Sequence, residues 1–266
     1  INLLRHKDRL KVYFLVANKS DLKKRILLRR NIEKSFKEVK QFYPCEQIFE
    51  TLCSINLERF YKKWFELIHA NNINYCIVKS KNNQFENIDN FKSALDFVLQ
   101  KKKINYSNDE IDYLINKFQF EYQSISINSN HRTPGKDRSA NLEFLDNDLT
   151  GKSVLDIGCG YGYFCFEAEK RHAAYVVGTE LRPHRFVGCN ILKEIKGMNT
   201  VFWNQDIFTT PPTQKFDIIL MFNIIHHLKE PIRALRIAAG LCTKHMIIEF
   251  PMPSDNKYQS TMSEQL

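Results

Sequence analysis

Three observations in the sequence predict an α/β protein. Short apolar runs rich in β-branched and aromatic residues recur along the chain, which is typical of buried strands. Segments with apolar residues at helical spacing lie between these runs. A glycine-rich turn, Gly158 to Gly162, separates one such run from the helix predicted after it. This alternation favours a parallel sheet covered by helices.

The composition narrows the class of protein. The 266 residues, 43% hydrophobic and 26% charged, suffice for one large or two small globular domains. No apolar run reaches the roughly 18 residues that a membrane span needs. The seven cysteines are scattered and never spaced CxxC, which argues against a disulfide framework and a zinc site. We therefore expect a reduced, cytoplasmic compartment and no bound metal.

The net charge of +9 is concentrated in the N-terminal part. Residues 1–100 carry 19 Lys and Arg against 11 Asp and Glu, whereas residues 101–266 carry 20 against 19. A basic surplus attracts phosphate-rich partners, although Lys-rich solvated helix faces produce the same balance. RNA bound through the N-terminal half is therefore one hypothesis about partners.

The first hundred residues alternate strands and helices. Residues 11–17 form an apolar run that predicts a buried strand, and Ser20 can cap the helix that follows. Residues 45–70 have apolar positions at helical spacing. Residues 74–79 predict a second strand and residues 88–100 another helix. We expect a smaller α/β or mainly helical N-terminal domain.

The segment from Lys11 to Arg30 resembles a late segment of P-loop kinases, in which a strand delivers a helix whose arginines touch phosphates. Arg25, Arg29 and Arg30 would be those arginines. The phosphate-binding pattern GxxxxGK[ST] does not occur in the sequence. We therefore interpret residues 1–105 as an accessory domain that positions substrate, with a remnant of a kinase-like domain as the alternative.

A lysine run and a polar turn predict a boundary between residues 1–105 and residues 106–266. The second domain begins with a predicted helix, residues 109–122. A polar, turn-rich loop with His131 and Arg132 comes next. Closure of this loop over a site in the second domain is one interpretation, and a mobile surface loop is the alternative.

The motif that is most informative about function follows a strand-like run over residues 152–157. That run leads into Gly158-Cys-Gly-Tyr-Gly162 and a predicted helix over residues 163–171. Glycines at such a junction let the backbone approach a ligand, and a helix N-terminus offers N–H groups to it. Dinucleotide sites use a similar turn, so glycines alone are weak evidence. Here Asp156 precedes the glycines and the third glycine comes early.

This DxGxGxG pattern resembles the first motif of class I S-adenosylmethionine (SAM)-dependent methyltransferases. The resemblance implies a Rossmann-like sheet with SAM as cofactor. It also implies that the glycine loop lies against the methionine part of SAM and that Asp156 helps to hold the amino group. Predicted strands over residues 174–179, 199–203, 216–222 and 245–250 keep the expected order.

Polar residues follow several of these strands, at the edge where open α/β sheets bind ligands. A carboxylate such as Glu180 can accept both ribose hydroxyls of an adenosine. By the resemblance, Asp206 contacts the adenine amino group. The residues expected at the cofactor are Asp156, Gly158, Cys159, Gly160, Tyr161, Gly162, Glu180, Leu181, Asp206, Ile207 and Asn223.

Four runs resemble one branch of these methyltransferases: residues 131–139, 148–160, 166–173 and 216–231. That branch contains tRNA wobble-uridine methyltransferase-like proteins and enzymes that modify sugars, polysaccharides or small metabolites. The resemblance covers roughly residues 120–250. Where the tRNA enzymes have Tyr-His, this chain has Ile225-His226, and their basic carboxylate-binding residues are not matched. Carboxy-SAM is therefore not implied as the cofactor.

His226 and His227 follow the fourth predicted strand of the second domain, where an acceptor pocket should open. Methyl transfer to a hydroxyl benefits from a general base, and histidine suits that role near neutral pH. His227 aligns with a histidine frequent in the resembling branch. It is the preferred candidate base, with a structural role in the next helix as the alternative.

Class I domains usually end with two strands after the fifth, and residues 251–266 are too short and polar for them. The sheet is therefore expected to lack its last strands, and a piece of a longer multidomain protein is the favoured explanation. The first hypothesis for function is methyl transfer from SAM to a hydroxyl or amine of a sugar, glycan or small metabolite. A tRNA-modifying methyltransferase is the second, and a catalytically inactive methyltransferase fold serving as an interaction module is the third.

Overall fold

The computed structural model describes residues 11–28, 45–72, 74–81, 84–100 and 104–250. The chain divides into two compact units, Ile1–Leu114 and Ile115–Leu266. This division falls inside a helix, slightly beyond the boundary at residue 105 that the sequence predicts. Within the described ranges, no helix is both long and apolar enough to cross a bilayer.

The N-terminal unit contains a three-stranded sheet. The strands are β1 (Lys11–Val16), β2 (Asn74–Lys81) and β3 (Gln84–Ile88), in the order β1-β2-β3. The first pair is parallel and the second antiparallel. The helices are α1 (Lys19–Leu27), α2 (Cys45–Ser54), α3 (Leu57–Ala70), α4 (Phe91–Leu99) and α5 (Asn108–Phe118), the last of which crosses into the second unit. This unit is therefore of the α/β type.

Asparagine caps explain where three of these helices begin. The side chain of Asn18, rather than Ser20, caps α1 by accepting the backbone N–H of Ser20 at 3.0 Å. Residues 45–70, whose apolar spacing predicts helical structure, form two helices, because Asn56 caps the second of them. Asn90 similarly starts α4. A short polar side chain that accepts backbone N–H groups interrupts a helix even where the apolar spacing continues.

The second unit contains a five-stranded parallel sheet. Its strands are β4 (Ser153–Ile157), β5 (Tyr175–Thr179), β6 (Val201–Trp203), β7 (Phe216–Phe222) and β8 (Cys242–Glu249). They lie in the order β6-β5-β4-β7-β8, and every neighbouring pair is parallel. The helices between them are α6 (Tyr163–Lys170), α7 (Pro183–Lys196) and α8 (Pro231–Leu241).

The strand order changes direction at β4. From β4 the chain first moves outward to β5 and β6, and then returns to the other side for β7 and β8. A crevice forms at such a switch point beside the carboxyl ends of the strands. The predicted Rossmann-like α/β class is confirmed.

The strands of the second unit read as continuous apolar runs because helices bury both faces of a parallel sheet. Leu155, Val177 and Ile219 are fully buried in one cluster with residues of α8. The five strands are those of the described residues, and residues 251–266 lie outside them. Arg29 and Arg30, predicted to touch phosphates, also lie outside the described residues.

Candidate functional site

Two adjoining cavities open at the carboxyl ends of the strands of the five-stranded sheet, here called its carboxyl edge. The larger has a volume of about 320 Å³. Tyr122, Gly158 and Asn223 line both cavities and therefore mark their junction. The larger cavity extends along the ends of β5 and β6, and the smaller lies beside the end of β4. Its other lining residues are Gln123, Arg138, Asp156, Cys159, Phe164 and Phe222.

The glycine loop, residues 158–162, has its backbone N–H groups already bonded within the protein. Gly158 and Cys159 donate to the carbonyl of Thr179 at 2.9 Å, and Gly162 donates to the carbonyl of Cys159. Gly160 donates to Oε2 of Glu180 at 3.1 Å. A loop that binds a pyrophosphate needs free N–H groups, so this loop is not arranged for an anionic ligand.

The side chain of Gln123 occupies the start of α6. Its Oε1 accepts from the backbone N–H groups of Tyr161, at 2.8 Å, and Tyr163, at 3.5 Å. The N–H groups of Tyr161 and Tyr163 are therefore not available to a ligand, in contrast to the expectation for this end of the helix. A buried amide from 38 residues earlier in the chain satisfies them, which leaves the loop to shape the cavity rather than to bind charge.

Gly160 shows why the loop needs glycine. Its φ of +65° lies in the left-handed region that favours glycine, and a Cβ there would lie 2.8 Å from the ring of Tyr122 and 3.1 Å from Gln123. The loop and the segment from residue 122 thus pack without space for a side chain. The glycine pattern predicts that the backbone approaches another group closely. At Gly160 that group is the protein segment with Tyr122 and Gln123 rather than a ligand.

That partner segment is a hairpin over residues 123–136. Thr133, which is buried, donates its hydroxyl to the carbonyl of Gln123 at 2.6 Å and accepts from the N–H of Ile125 at 2.8 Å. The hairpin places Tyr122 and Arg138 at its two ends, and both line the small cavity. His131 and Arg132, predicted to close over the site, bond within the hairpin and line neither cavity.

Glu180 lies directly after β5 and lines the larger cavity. It is only 7% exposed, and its two oxygens accept the backbone N–H groups of Gly160 and Arg182, the latter at 2.8 Å. These bonds fix the carboxylate while each oxygen keeps a further lone pair. In the described part of the chain, Glu180 forms no ion pair. It can therefore accept hydroxyl groups of a ligand.

Asp156, the last residue but one of β4, lines the smaller cavity and is 1% exposed. Its described polar contact is the thiol of Cys165, at 3.5 Å from Oδ2. Burial raises the pKa of the Asp156 carboxyl well above its ordinary value, and the neighbouring Cys159 and Glu180 raise it further. A cationic ligand group would compensate for this cost.

The far end of the larger cavity is mainly apolar. Leu181, Ile207 and Phe208 line it, together with the polar side chains of Gln205 and Asp206. One oxygen of Asp206 accepts the backbone N–H of Phe208 at 2.9 Å, which holds the carboxylate at the wall. A flat heterocycle with an amino group fits between such walls.

The two candidate histidines differ in position. A short 3-10 helix, Ile225–His227, follows β7, and His227 lines the larger cavity. His226 lines neither cavity, although its ring centre lies 4.0 Å from that of His227. Both side chains are exposed. The geometry therefore places His227 nearer to a bound ligand.

Among the other predicted cofactor residues, Leu181, Ile207 and Asn223 line the larger cavity, and Gly158 and Cys159 line the smaller. Gly160, Tyr161 and Gly162 line neither cavity. Tyr161 packs against Phe120 with ring centres 5.4 Å apart. No cluster suited to a metal ion occurs among the residues that the structure describes.

Several lining residues lack a local signal in the sequence. Arg185 stacks on Tyr122, with its guanidinium 3.9 Å from the ring centre, and neither belongs to a recognisable motif. In the sequence, the polar loop near residue 131 is the feature that indicates a role for the segment containing Tyr122. The lining residues that sequence reasoning missed include Tyr122, Gln123, Arg138, Arg182, Arg185, Gln205, Phe208, Ile224 and Leu228.

Comparison with known proteins adds a family match. A family model described as a methyltransferase domain matches residues 130–264. A tRNA U34 carboxymethyltransferase of Desulfotalea psychrophila is 32% identical over 91 residues, which are 34% of this chain and 28% of that protein. A ubiquinone biosynthesis O-methyltransferase of Coxiella burnetii is 32% identical over 103 residues, 38% of this chain and 44% of that protein. The chain thus spans less than half the length of these relatives.

Among solved structures, a SAM-dependent methyltransferase from Mesorhizobium loti is similar with a TM-score of 0.38 and 20% sequence identity. The match covers 43% of this chain and 52% of that one.

Proposed function

Since the chain belongs to the SAM-dependent methyltransferase domain family, we propose that it transfers the methyl group of SAM to a hydroxyl or amine of a sugar, glycan or small metabolite. The family model covers half of the chain and ends beyond β8. SAM is the cofactor of this family.

One observation carries the proposal. The carboxyl edge brings the carboxylates of Asp156 and Glu180 to two joined cavities, while the glycine loop between them has no N–H group to spare. This combination suits a ligand that carries a cation and hydroxyl groups but no phosphate. A sulfonium nucleoside with an amino acid chain has that chemistry, whereas a dinucleotide requires a phosphate cradle.

The residues fit the parts of SAM in order along the site. Asp156 would accept the ammonium and Arg138 would bind the carboxylate of the methionine end, since both line the smaller cavity. Glu180 would accept the ribose hydroxyls, and Asp206 the adenine amino group. Arg138 has no carboxylate partner among the described residues, which leaves its guanidinium available.

When bound, SAM supplies an electrophilic methyl group: the lone pair of the acceptor bonds to the methyl carbon, the carbon–sulfur pair stays on sulfur, and the acceptor loses its proton. The chain's own residues align the acceptor and exclude water. His227, exposed at the rim of the larger cavity, is placed to take the proton from a hydroxyl or amine. His226 lines neither cavity and is the secondary candidate.

A calorimetric titration with S-adenosylhomocysteine (SAH) tests the cofactor site. We expect saturable binding, weakened about 10- to 100-fold by Glu180→Gln, because the variant loses a charge that accepts hydroxyls and the N–H of Gly160. Glu143→Gln, an exposed glutamate on the 3-10 helix Ser139–Phe144, is the matched control and should bind like the wild type. No saturable binding by the wild type would refute the proposal.

A tRNA acceptor is the second candidate. The basic surplus of residues 1–100 and the similarity to a tRNA U34 carboxymethyltransferase support it. Phosphate contacts make RNA affinity fall steeply with salt, whereas binding of a neutral sugar does not depend on salt in this way. A steep salt dependence that charge reversal at Arg25 reduces would favour the tRNA acceptor.

A further inference from the structure

Asn223 is held in an unusual backbone conformation at the end of β7. Its φ is +52°, in the left-handed region that asparagine adopts more readily than most residues but at a cost. Two hydrogen bonds to Glu249 maintain it. The backbone N–H of Asn223 donates to the carbonyl of Glu249 at 3.0 Å, and its Nδ2 donates to the Glu249 carboxylate at 2.8 Å.

The second bond fixes which way the amide of Asn223 points. A carboxylate only accepts hydrogen bonds, so the amide nitrogen must face Glu249 and Oδ1 must face away from it. Among the described residues, no group donates to Oδ1. The negative charge of Glu249 also polarises the amide, which increases the electron density on that oxygen.

Asn223 lies at the junction of the two cavities. It lines both cavities, together with Tyr122 and Gly158. If the proposed function is right, the nucleoside of SAM occupies the larger cavity. Its amino acid end then points toward the smaller one, whose volume of about 10 Å³ admits little more than the ammonium group. The sulfur joins these ends, so Asn223 lies beside the reacting methyl group. This step rests on the proposed function.

We propose that Oδ1 of Asn223 accepts a hydrogen bond from the N–H or O–H of the methyl acceptor, and that Glu249 is the positioning residue that orients it. As the acceptor atom gives its lone pair to the methyl carbon, positive charge builds on that atom and its hydrogen becomes a stronger donor. The bond to Asn223 therefore strengthens in the transition state, which is the condition for catalysis.

This arrangement specifies the chemistry of the substrate. The reacting atom must carry a hydrogen, as in a primary or secondary amine or a hydroxyl. Acceptors without one would place a lone pair against Oδ1, as a carboxylate or a thioether does, or an alkyl group, as a tertiary amine does. Asn223 thus selects against them.

The test uses two ligands and needs no knowledge of the acceptor. SAH lacks the transferable methyl, whereas sinefungin, a SAM analogue, has an amine at the methyl position. That amine can donate to Oδ1. We expect the wild type to prefer sinefungin over SAH, and Asn223→Gly to lower this preference about 10-fold or more, as expected for a hydrogen bond to a charged donor. Glycine adopts positive φ freely, so this variant keeps its backbone.

Variants of Glu249 test the positioning role. Glu249→Ala should lose most of the sinefungin preference, whereas Glu249→Gln, whose amide oxygen can still accept from Asn223, should retain more of it. Gln205→Ala is the control at the nucleoside end and should leave the ratio of the two affinities unchanged.

The outcomes separate the two proposals. Wild type that binds neither ligand would overturn both this inference and the proposed function. Binding of both ligands with an undiminished sinefungin preference in Asn223→Gly would overturn only the role of Asn223. A preference lost in Asn223→Gly but kept in Glu249→Ala would overturn the role of Glu249.

Discussion

The amino and carboxyl ends of the strands in the five-stranded sheet place a carboxylate in opposite environments. At the amino edge, Asp217 accepts the backbone N–H of Ser153 at 2.8 Å and its hydroxyl at 3.0 Å, with Lys244 at 3.4 Å. These hydrogen bonds, led by the Ser153 backbone, lower the pKa of Asp217 to about 2. At the carboxyl edge, Asp156 is buried with one thiol contact and its pKa is raised.

The difference separates a structural charge from a functional one. Asp217 joins the first residue of β4 to β7 and to the end of the sheet near β8, so its partners are all within the protein. Asp156 is kept dry beside a cavity, where its charge is costly until a ligand arrives. A protein that only needed a stable sheet would not bury a carboxylate in this way. Substitutions at the two edges should therefore have different consequences.

The largest change in SAH affinity is expected when a glycine at the carboxyl end of the strands is replaced, in contrast to a glycine at the amino end. Gly160 and Gly197 both have φ of +65°, but a Cβ meets Tyr122 at 2.8 Å in the first and nothing within 4 Å in the second. Gly160→Ala should weaken SAH binding at least about 100-fold, because the loop and the hairpin must move apart. Gly197→Ala should cost about 1 kcal/mol of stability from backbone strain and leave SAH affinity unchanged. Calorimetry and thermal unfolding measure both.

Equal losses of SAH affinity in the two glycine variants would show that backbone strain, rather than the close approach of the hairpin, governs the loop.

The second prediction is a smaller loss of SAH affinity when Asp156 is replaced. Asp156→Asn should weaken SAH binding about 10-fold or more, since the amide cannot compensate an ammonium charge. The same change should stabilise the ligand-free protein at pH 7. Because the folded pKa of Asp156 is raised, its ionisation opposes folding, and this penalty grows as pH rises above the ordinary Asp value of about 3.9.

Denaturant unfolding of wild type and Asp156→Asn across a pH series checks the sign. The advantage of the variant should shrink as pH falls towards 4. A variant that is less stable than the wild type at pH 7 would contradict the interpretation of Asp156 as an uncompensated charge.

The smallest effect is expected at Asp217. Its folded pKa of about 2 lies below the ordinary value, so its contribution is present above about pH 4 and is lost as pH falls towards 2. Asp217→Asn should lower the free energy of unfolding by about 1 kcal/mol at pH 7, from weaker hydrogen bonds to Ser153. SAH affinity should not change. Loss of SAH affinity in this variant would show that the two edges are coupled.

Much of the fold follows from local patterns. The strands β4, β5 and β7 are apolar runs long enough to predict, and Asp156 and Glu180 follow from their places at strand ends. The helical spacing over residues 45–70 predicts helical structure but not its division into two helices, which depends on the cap at Asn56. The sequence prefers His227 over His226, and the structure adds that His227 lines the larger cavity.

The sequence by itself determined the class of the fold, the glycine loop and the acidic residues beside it, because each depends on neighbours within a few positions. Only the tertiary structure decided what meets that loop. Gln123 bonds to Tyr161 across 38 positions and Asn223 to Glu249 across 26. Such partners carry no periodic signal, since the free energy that pairs them comes from folding the intervening chain rather than from local propensity.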